Sequence, residues 1–160
     1  MPAGFGGHEN RWLWMLRPLL SVPVEPWLCQ TTTNPPGTIQ DSLFSVTRAF
    51  DGITAAVVAV NPQCDVMIGE TGWPSAGISF NNSINTVENA RSYFEAVRQW
   101  SLQRRVVAYY FEAIDEAWKS NRNAAVPPAA PWQGPNGAEG HYGVWAFDGE
   151  RQYVPKFPVS

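Results

Sequence analysis

Apolar positions fall into two helical stretches and two strand-like runs that alternate along the chain. From Asp41, the residues Leu43, Phe44, Val46, Thr47, Phe50, Ile53, Ala56 and Val57 recur at three- and four-residue steps, which predicts an amphipathic helix ended by Asn61-Pro62. Cys64 to Glu70 is then a nearly uninterrupted apolar run, the pattern of a strand covered on both faces. A second helix is predicted from the Asn85 and Glu88 pair, which resembles a capping box, along a face of Val87, Ala90, Phe94, Val97 and Ser101, to about Gln103. Val106 to Phe111, the run VVAYYF, predicts a second buried strand that again closes on a carboxylate, Glu112.

The flanks are less regular. Val22 to Cys29 predicts a short strand despite Pro23 and Pro26, followed by a Pro- and Gly-bearing loop from Thr31 to Thr38. Gly, Ser and Asn make Thr71 to Ile84 a loop, and prolines do the same for Ala124 to Gly140. HYGVWAFDGERQYVPKF closes the chain as a short strand with a turn at Asp148-Gly149.

Strand, helix and strand within about 50 residues is the period of a parallel βαβ unit. Carboxylates at the C-terminal ends of consecutive parallel strands fit a (β/α)₈ barrel, whose catalytic groups stand on that face. A doubly wound open sheet fits the periodicity equally well, although it usually carries a GxGxxG turn, and none is present. Eight βα units need about 250 residues. This chain of 160 residues holds three or four strands, so the predicted fold class is α/β, a partial TIM barrel of roughly its last three strands with their helices.

Composition narrows the partners. Eleven Lys and Arg against fourteen Asp and Glu give a net charge of −3 and no basic stripe, which excludes the phosphate contacts of nucleic-acid binding. Eight tryptophans exceed what such a core needs, and their rings either pack inside or stack on flat ligand faces such as those of sugars. The apolar patch from Trp12 to Leu20 is interrupted by Arg17 and Pro18, which makes a poor signal peptide and no membrane span. Cys29 and Cys64 form no metal or redox motif and stand as either a disulfide or two buried thiols. Asn81-Asn82-Ser83 is an N-glycosylation tripeptide. No cofactor or metal is expected: the two histidines, His8 and His141, share no ligand or triad spacing, and Ser75 lacks a GxSxG elbow.

Carboxylates are the remaining chemistry. Glu70 ends an apolar strand, where a partly desolvated and rigid carboxylate suits a nucleophile or general acid, or else a salt bridge. Glu112, Asp115, Glu116 and Lys119 crowd into YFEAIDEAWK, either a solvated acidic loop or coupled groups that hold sugar hydroxyls. Glu139 precedes Gly140-His141-Tyr142-Gly143 as a third acid.

VMIGETGWPSAG, YYFEAIDEAWK and EGHYGVWAFDG, in this order and spacing, closely resemble motifs of glycoside hydrolase family 17, the β-1,3-glucanases and related glucanosyltransferases. The resemblance spans roughly residues 25–157 and leaves residues 1–24 unmatched, so it implies the C-terminal half of the family's barrel. It implies Glu70 as catalytic nucleophile, Glu116 and Lys119 as supports of the site, Glu139 as a further acid, and Trp73 and Trp118 as lining of the sugar cleft. The implied partner is a β-1,3-glucan polysaccharide or oligosaccharide, and the implied location is extracellular or in a cell wall. The family's general acid sits in an Asn-Glu pair, and this sequence contains no Asn-Glu dipeptide. The expected function is therefore the nucleophile half of a retaining glucan hydrolase or transglycosylase, inactive alone. The alternatives are a non-catalytic β-glucan-binding fragment and a truncated gene product.

Overall fold

In the computed structural model the residues described are 19–23, 38–78, 83–121, 134 and 136–159. Three parallel strands, β1 (Leu19–Pro23), β2 (Asp65–Thr71) and β3 (Ala108–Tyr110), lie side by side in the order β1-β2-β3. They alternate with two helices, α1 (Ile39–Val60) and α2 (Val87–Arg104). Two 3-10 turns (Ala117–Asn121 and Ala138–Gly140) and an antiparallel hairpin, β4 (Trp145–Phe147) with β5 (Tyr153–Pro155), complete the chain.

Sequence and local chemistry account for the helix ends. Thr38 caps α1 by accepting from the Asp41 N–H at 3.1 Å, while Asp41 accepts from the Thr38 N–H at 2.9 Å, a reciprocal pair that satisfies two otherwise orphaned donors. The cap of α2 is Thr86, which accepts from the Asn89 N–H, and not Asn85 as the Asn85/Glu88 spacing suggested. The Asn85 amide instead reaches back to the Gly77 carbonyl at 2.7 Å and ties down the preceding loop.

Both helices cover the same face of the sheet. Val46 and Phe50 of α1 and Trp100 of α2 meet on Ile68 of β2, with Phe50 and Trp100 edge to face at 5.3 Å. A second cluster joins Trp73, Ala90, Tyr93, Val97, Val144 and Phe157. Sequential strand order with both crossover helices on one side is the arrangement of a barrel wall and also of one half of a doubly wound sheet. A doubly wound sheet reverses its order and gains helices on the second face only across its switch point. The opposite face carries no helix among the described residues, and Tyr109 of β3, in the run expected to be a buried strand, is 58% exposed there.

Two other differences concern strand positions. The first strand is described from Leu19 to Pro23, paired in register with Asp65 to Glu70, and residues 24–29 of the expected Val22 to Cys29 lie outside the described residues. The closing segment is two strands about the expected Asp148-Gly149 turn. Asp148 Oδ1 accepts there from the N–H groups of Glu150, Arg151 and Gln152. Ahead of β4, Glu112 donates its N–H to Tyr142 and accepts from Val144, so the 142–144 segment runs parallel beside the end of β3. α1 is long and apolar enough to cross a membrane by length and composition, and one stripe of it packs on the sheet. Cys29, Asn81 and Asn82 lie outside the described residues.

Candidate functional site

The site is set by an irregularity in β2. Along β1, Val22 pairs with Ile68 and the next residue, Pro23, pairs with Glu70; along β3, Ala108 pairs with Ile68 and Tyr110 pairs with Thr71. Strand β2 thus holds one more residue than either neighbour between these pairs, a bulge around Gly69. In a regular strand Glu70 would share the helix-covered face with Ile68. With the extra residue it is Thr71 that turns to the helices, where its hydroxyl meets the Tyr93 hydroxyl at 2.7 Å. Alternation from Thr71 turns Glu70 to the helix-free face, at the C-terminal mouth of the sheet and half-buried.

The next segment is fastened closely to β3. The Thr71 carbonyl accepts from Phe111, and the Trp73 N–H donates to the Tyr110 hydroxyl at 3.3 Å. A side chain at Gly72 would place its Cβ 2.0 Å from the Phe111 carbonyl oxygen, so only glycine permits this approach. Trp73, expected to line a sugar cleft, lies instead in the core. It is 3% exposed, its ring is 5.6 Å from that of Tyr93, and its indole N–H donates to the Ile84 carbonyl. The reason is its position two residues after Thr71, on a turn folded back over α2.

At the same end of β3, one ammonium serves two carboxylates. Lys119 Nζ donates to Glu112 Oε2 at 2.8 Å and also pairs with Glu116. It lies 4.6 Å above the centre of the Phe111 ring. Burial pushes the Glu112 carboxyl up to about 7, against the pull of Lys119, and Glu112 Oε1 is buried with no hydrogen-bond partner. Glu116 is held below the usual carboxylate range by its hydrogen bonds to Lys119 and Glu112. Burial opposes the charge on Lys119, but the bonds to Glu112 and Glu116 outweigh it and raise its pKa. Trp118, 57% exposed, donates its indole N–H to Glu116 at 3.2 Å and offers an open ring beside this cluster.

Glu139 stands half-buried in the 3-10 turn Ala138–Gly140, which is locked to the Lys119 turn by the Ser120 hydroxyl; that hydroxyl donates to Gly137 and accepts from Gly140. The structure thus brings Glu112, Glu116, Trp118 and Lys119 together, places Glu139 on the adjoining turn and Glu70 on the neighbouring strand, and removes Trp73 to the core. Asp115 forms a different cluster, with Lys156 at 2.6 Å and the Gly143 N–H at 2.9 Å. Lys156 gave no signal in the sequence, because its partners lie 41 and 81 residues away. Among the described residues no group of three His, Cys, Asp or Glu is placed to hold a metal ion.

Solved structures similar to this α/β sheet, with its carboxylates at the C-terminal strand ends, are glycoside hydrolases. The chain is similar to the glycoside hydrolase family 17 β-1,3-glucanosyltransferase of Rhizomucor miehei, with TM-score 0.61 and 28% identity over 88% of this chain and 42% of that one. An active-site mutant of that enzyme in complex with laminaritriose gives TM-score 0.63 at 27% identity, with the same coverage. The family model for glycosyl hydrolases family 17 matches residues 29–157, and the chain belongs to that family. It is 38% identical over 113 residues to a glucan 1,3-beta-glucosidase of Candida albicans, covering 65% of this chain and 32% of that protein. The chain thus spans about a third of the length of the curated relatives it matches.

Proposed function

We propose that the chain carries the nucleophile side of a retaining site acting on β-1,3-glucan, with Glu70 as nucleophile. The observation that carries this reading is the bulge in β2, by which Glu70 turns to the helix-free face at the C-terminal end of the strand next to β3, the strand that leads into the Lys119 cluster. Family membership and the relatives' named activities supply the substrate class. In this reading the three parallel strands are a section of a (β/α)₈ barrel wall, and the helix-free face is its interior.

A Glu70 carboxylate oxygen forms a bond to the anomeric carbon as the bond from that carbon to the leaving sugar oxygen breaks, and a second carboxyl group protonates that oxygen. Water, or a hydroxyl of another glucan chain, then displaces Glu70. Lys119, Glu116 and Glu139 hold sugar hydroxyls by charge-assisted hydrogen bonds, and Trp118 offers a stacking face. The protonating group of an Asn-Glu pair is absent from the sequence, so these 160 residues alone do not turn over native glucan. Their place of action is outside the cell or in its wall.

The test bypasses the missing acid. A 2-deoxy-2-fluoro laminaribioside with a dinitrophenolate leaving group needs no protonation, so it labels Glu70 covalently while laminarin stays intact. Mass spectrometry locates the label. No labelling of the chain, or equal labelling of Glu70→Gln, overturns the assignment.

A further inference from the structure

Three turns meet at a buried ammonium outside the carboxylate cluster. The Lys156 side chain is 9% exposed, and its Nζ donates to Ser75 Oγ at 2.6 Å, Asp115 Oδ1 at 2.6 Å and the His141 carbonyl at 3.2 Å. All three ammonium protons are engaged. The Lys156 N–H donates to Val144, and Phe157 is anchored in the core at 5% exposed, so the base of the side chain is fixed. Ser75 is joined to His141 a second time through its N–H at 2.9 Å and its hydroxyl at 3.0 Å. Asp115 is also held by the Gly143 N–H at 2.9 Å.

Each turn leads to a group of the proposed site. Ser75 ends the turn that starts at Glu70, Asp115 adjoins Glu116 at the head of the Lys119 turn, and His141 follows the turn that bears Glu139. No backbone ladder joins Ser75 to Asp115; Lys156 does. Stability alone accounts poorly for an ammonium here, since a well-packed apolar residue in place of a buried ion pair is often neutral or stabilising. What the three-donor head provides, and an apolar chain does not, is a fixed distance between separate turns.

We propose that Lys156 is a positioning residue for the glucan site, setting through Ser75 and Asp115 the spacing between the Glu70 turn and the turn of Glu116 and Lys119. The proposal rests on the functional reading above. Its test compares the 160-residue chain with Lys156→Met, Lys156→Arg and Ser75→Ala, and with Phe50→Leu, a distant core change that lowers the melting temperature without touching the three turns.

Laminaritriose affinity, measured by calorimetry, is expected to fall at least tenfold in Lys156→Met and less in Lys156→Arg and Ser75→Ala, while Phe50→Leu binds as the parent does. Amide exchange at Ser75 and Gly143 is expected to quicken at least tenfold in Lys156→Met, with Val46 and Ile68 unchanged. Parent-like affinity in Lys156→Met, or a loss matched by Phe50→Leu, overturns the proposal. If the parent chain binds no laminaritriose the glucan reading falls, and amide exchange decides the positioning role by itself: unchanged rates at Ser75 and Gly143 overturn it. Should Lys156→Met not fold, Ser75→Ala carries the same comparison.

Discussion

The hydroxyls of Thr71 and Tyr93 meet at 2.7 Å inside the molecule, both side chains fully buried, and this contact holds the face assignment of the whole strand end. Thr71 lies one residue beyond Glu70 on the far side of the bulge, so fixing Thr71 against α2 fixes Glu70 on the opposite face. A slip of one residue would bury the carboxylate among Val46, Phe50 and Trp100.

Tyr93→Phe removes one partner of this pair and leaves the Thr71 hydroxyl buried. An unsatisfied buried hydroxyl costs about 1–3 kcal/mol. Urea unfolding of the variant is therefore expected at a lower midpoint with an unchanged slope, and pairing the change with Thr71→Val is expected to recover most of the loss. Equal midpoints for parent and Tyr93→Phe would show that the pair does not hold the strand end.

Gly72→Ala acts at the other side of the same residue. Its methyl group would sit 2.0 Å from the Phe111 carbonyl oxygen, which is backbone and cannot swing away. Relief requires β2 and β3 to part at their C-terminal ends, an overpacking cost of about 1–3 kcal/mol or more. Both the thermal midpoint and covalent labelling of Glu70 are expected to fall; a parent-like midpoint would contradict the close approach.

Helices α1 and α2 were legible because a three- and four-residue apolar step records a buried stripe: Val46, Phe50, Ala90 and Val97 are core, whereas Phe44 and Val87, counted on the same faces, are exposed. The Glu70 strand and the Glu116 and Lys119 cluster were legible as motifs. The bulge was not, since it is a mismatch of count between β2 and its two neighbours and no property of β2 alone. Trp73 misled because its motif resembles one expected to line a sugar cleft, while its ring, bonded to Ile84, serves the packing beneath that turn. Thr86 took the cap from Asn85 because both residue types suit it, and tertiary bonding of Asn85 to Gly77 decided between them.

Trp118 provides the open ring that Trp73 does not. It is 57% exposed, its indole N–H is bonded to Glu116, and Lys119 lies 5.8 Å from its ring centre. Trp118→Ala is expected to weaken laminaritriose binding roughly tenfold, about 1.4 kcal/mol, with little change in melting temperature. Calorimetric titration reads the affinity. If Trp118→Ala binds as tightly as the parent chain, the ring is not part of the sugar site.

Glu112 makes stability depend on pH in the direction opposite to an ordinary paired carboxylate. Burial raises its carboxyl from 4.5 in a model peptide to about 7 in the fold, so between these values the folded chain binds the proton that the unfolded chain has released. Its contribution is fully present below pH about 4.5 and is lost as pH rises through about 7. The ceiling on that loss is about 3 kcal/mol, at about 1.4 kcal/mol per pH unit. Glu116, held low by Lys119, adds the reverse trend only below its own ordinary range. Glu112→Gln keeps a neutral side chain of the same shape at every pH. The stability of the parent relative to Glu112→Gln, from urea midpoints at intervals between pH 4 and 8, is therefore expected to decline from about pH 4.5 and to level off above about pH 7. A parent-minus-variant difference that stays flat, or rises, would show that the buried carboxyl is ionised throughout and that Lys119 outweighs burial.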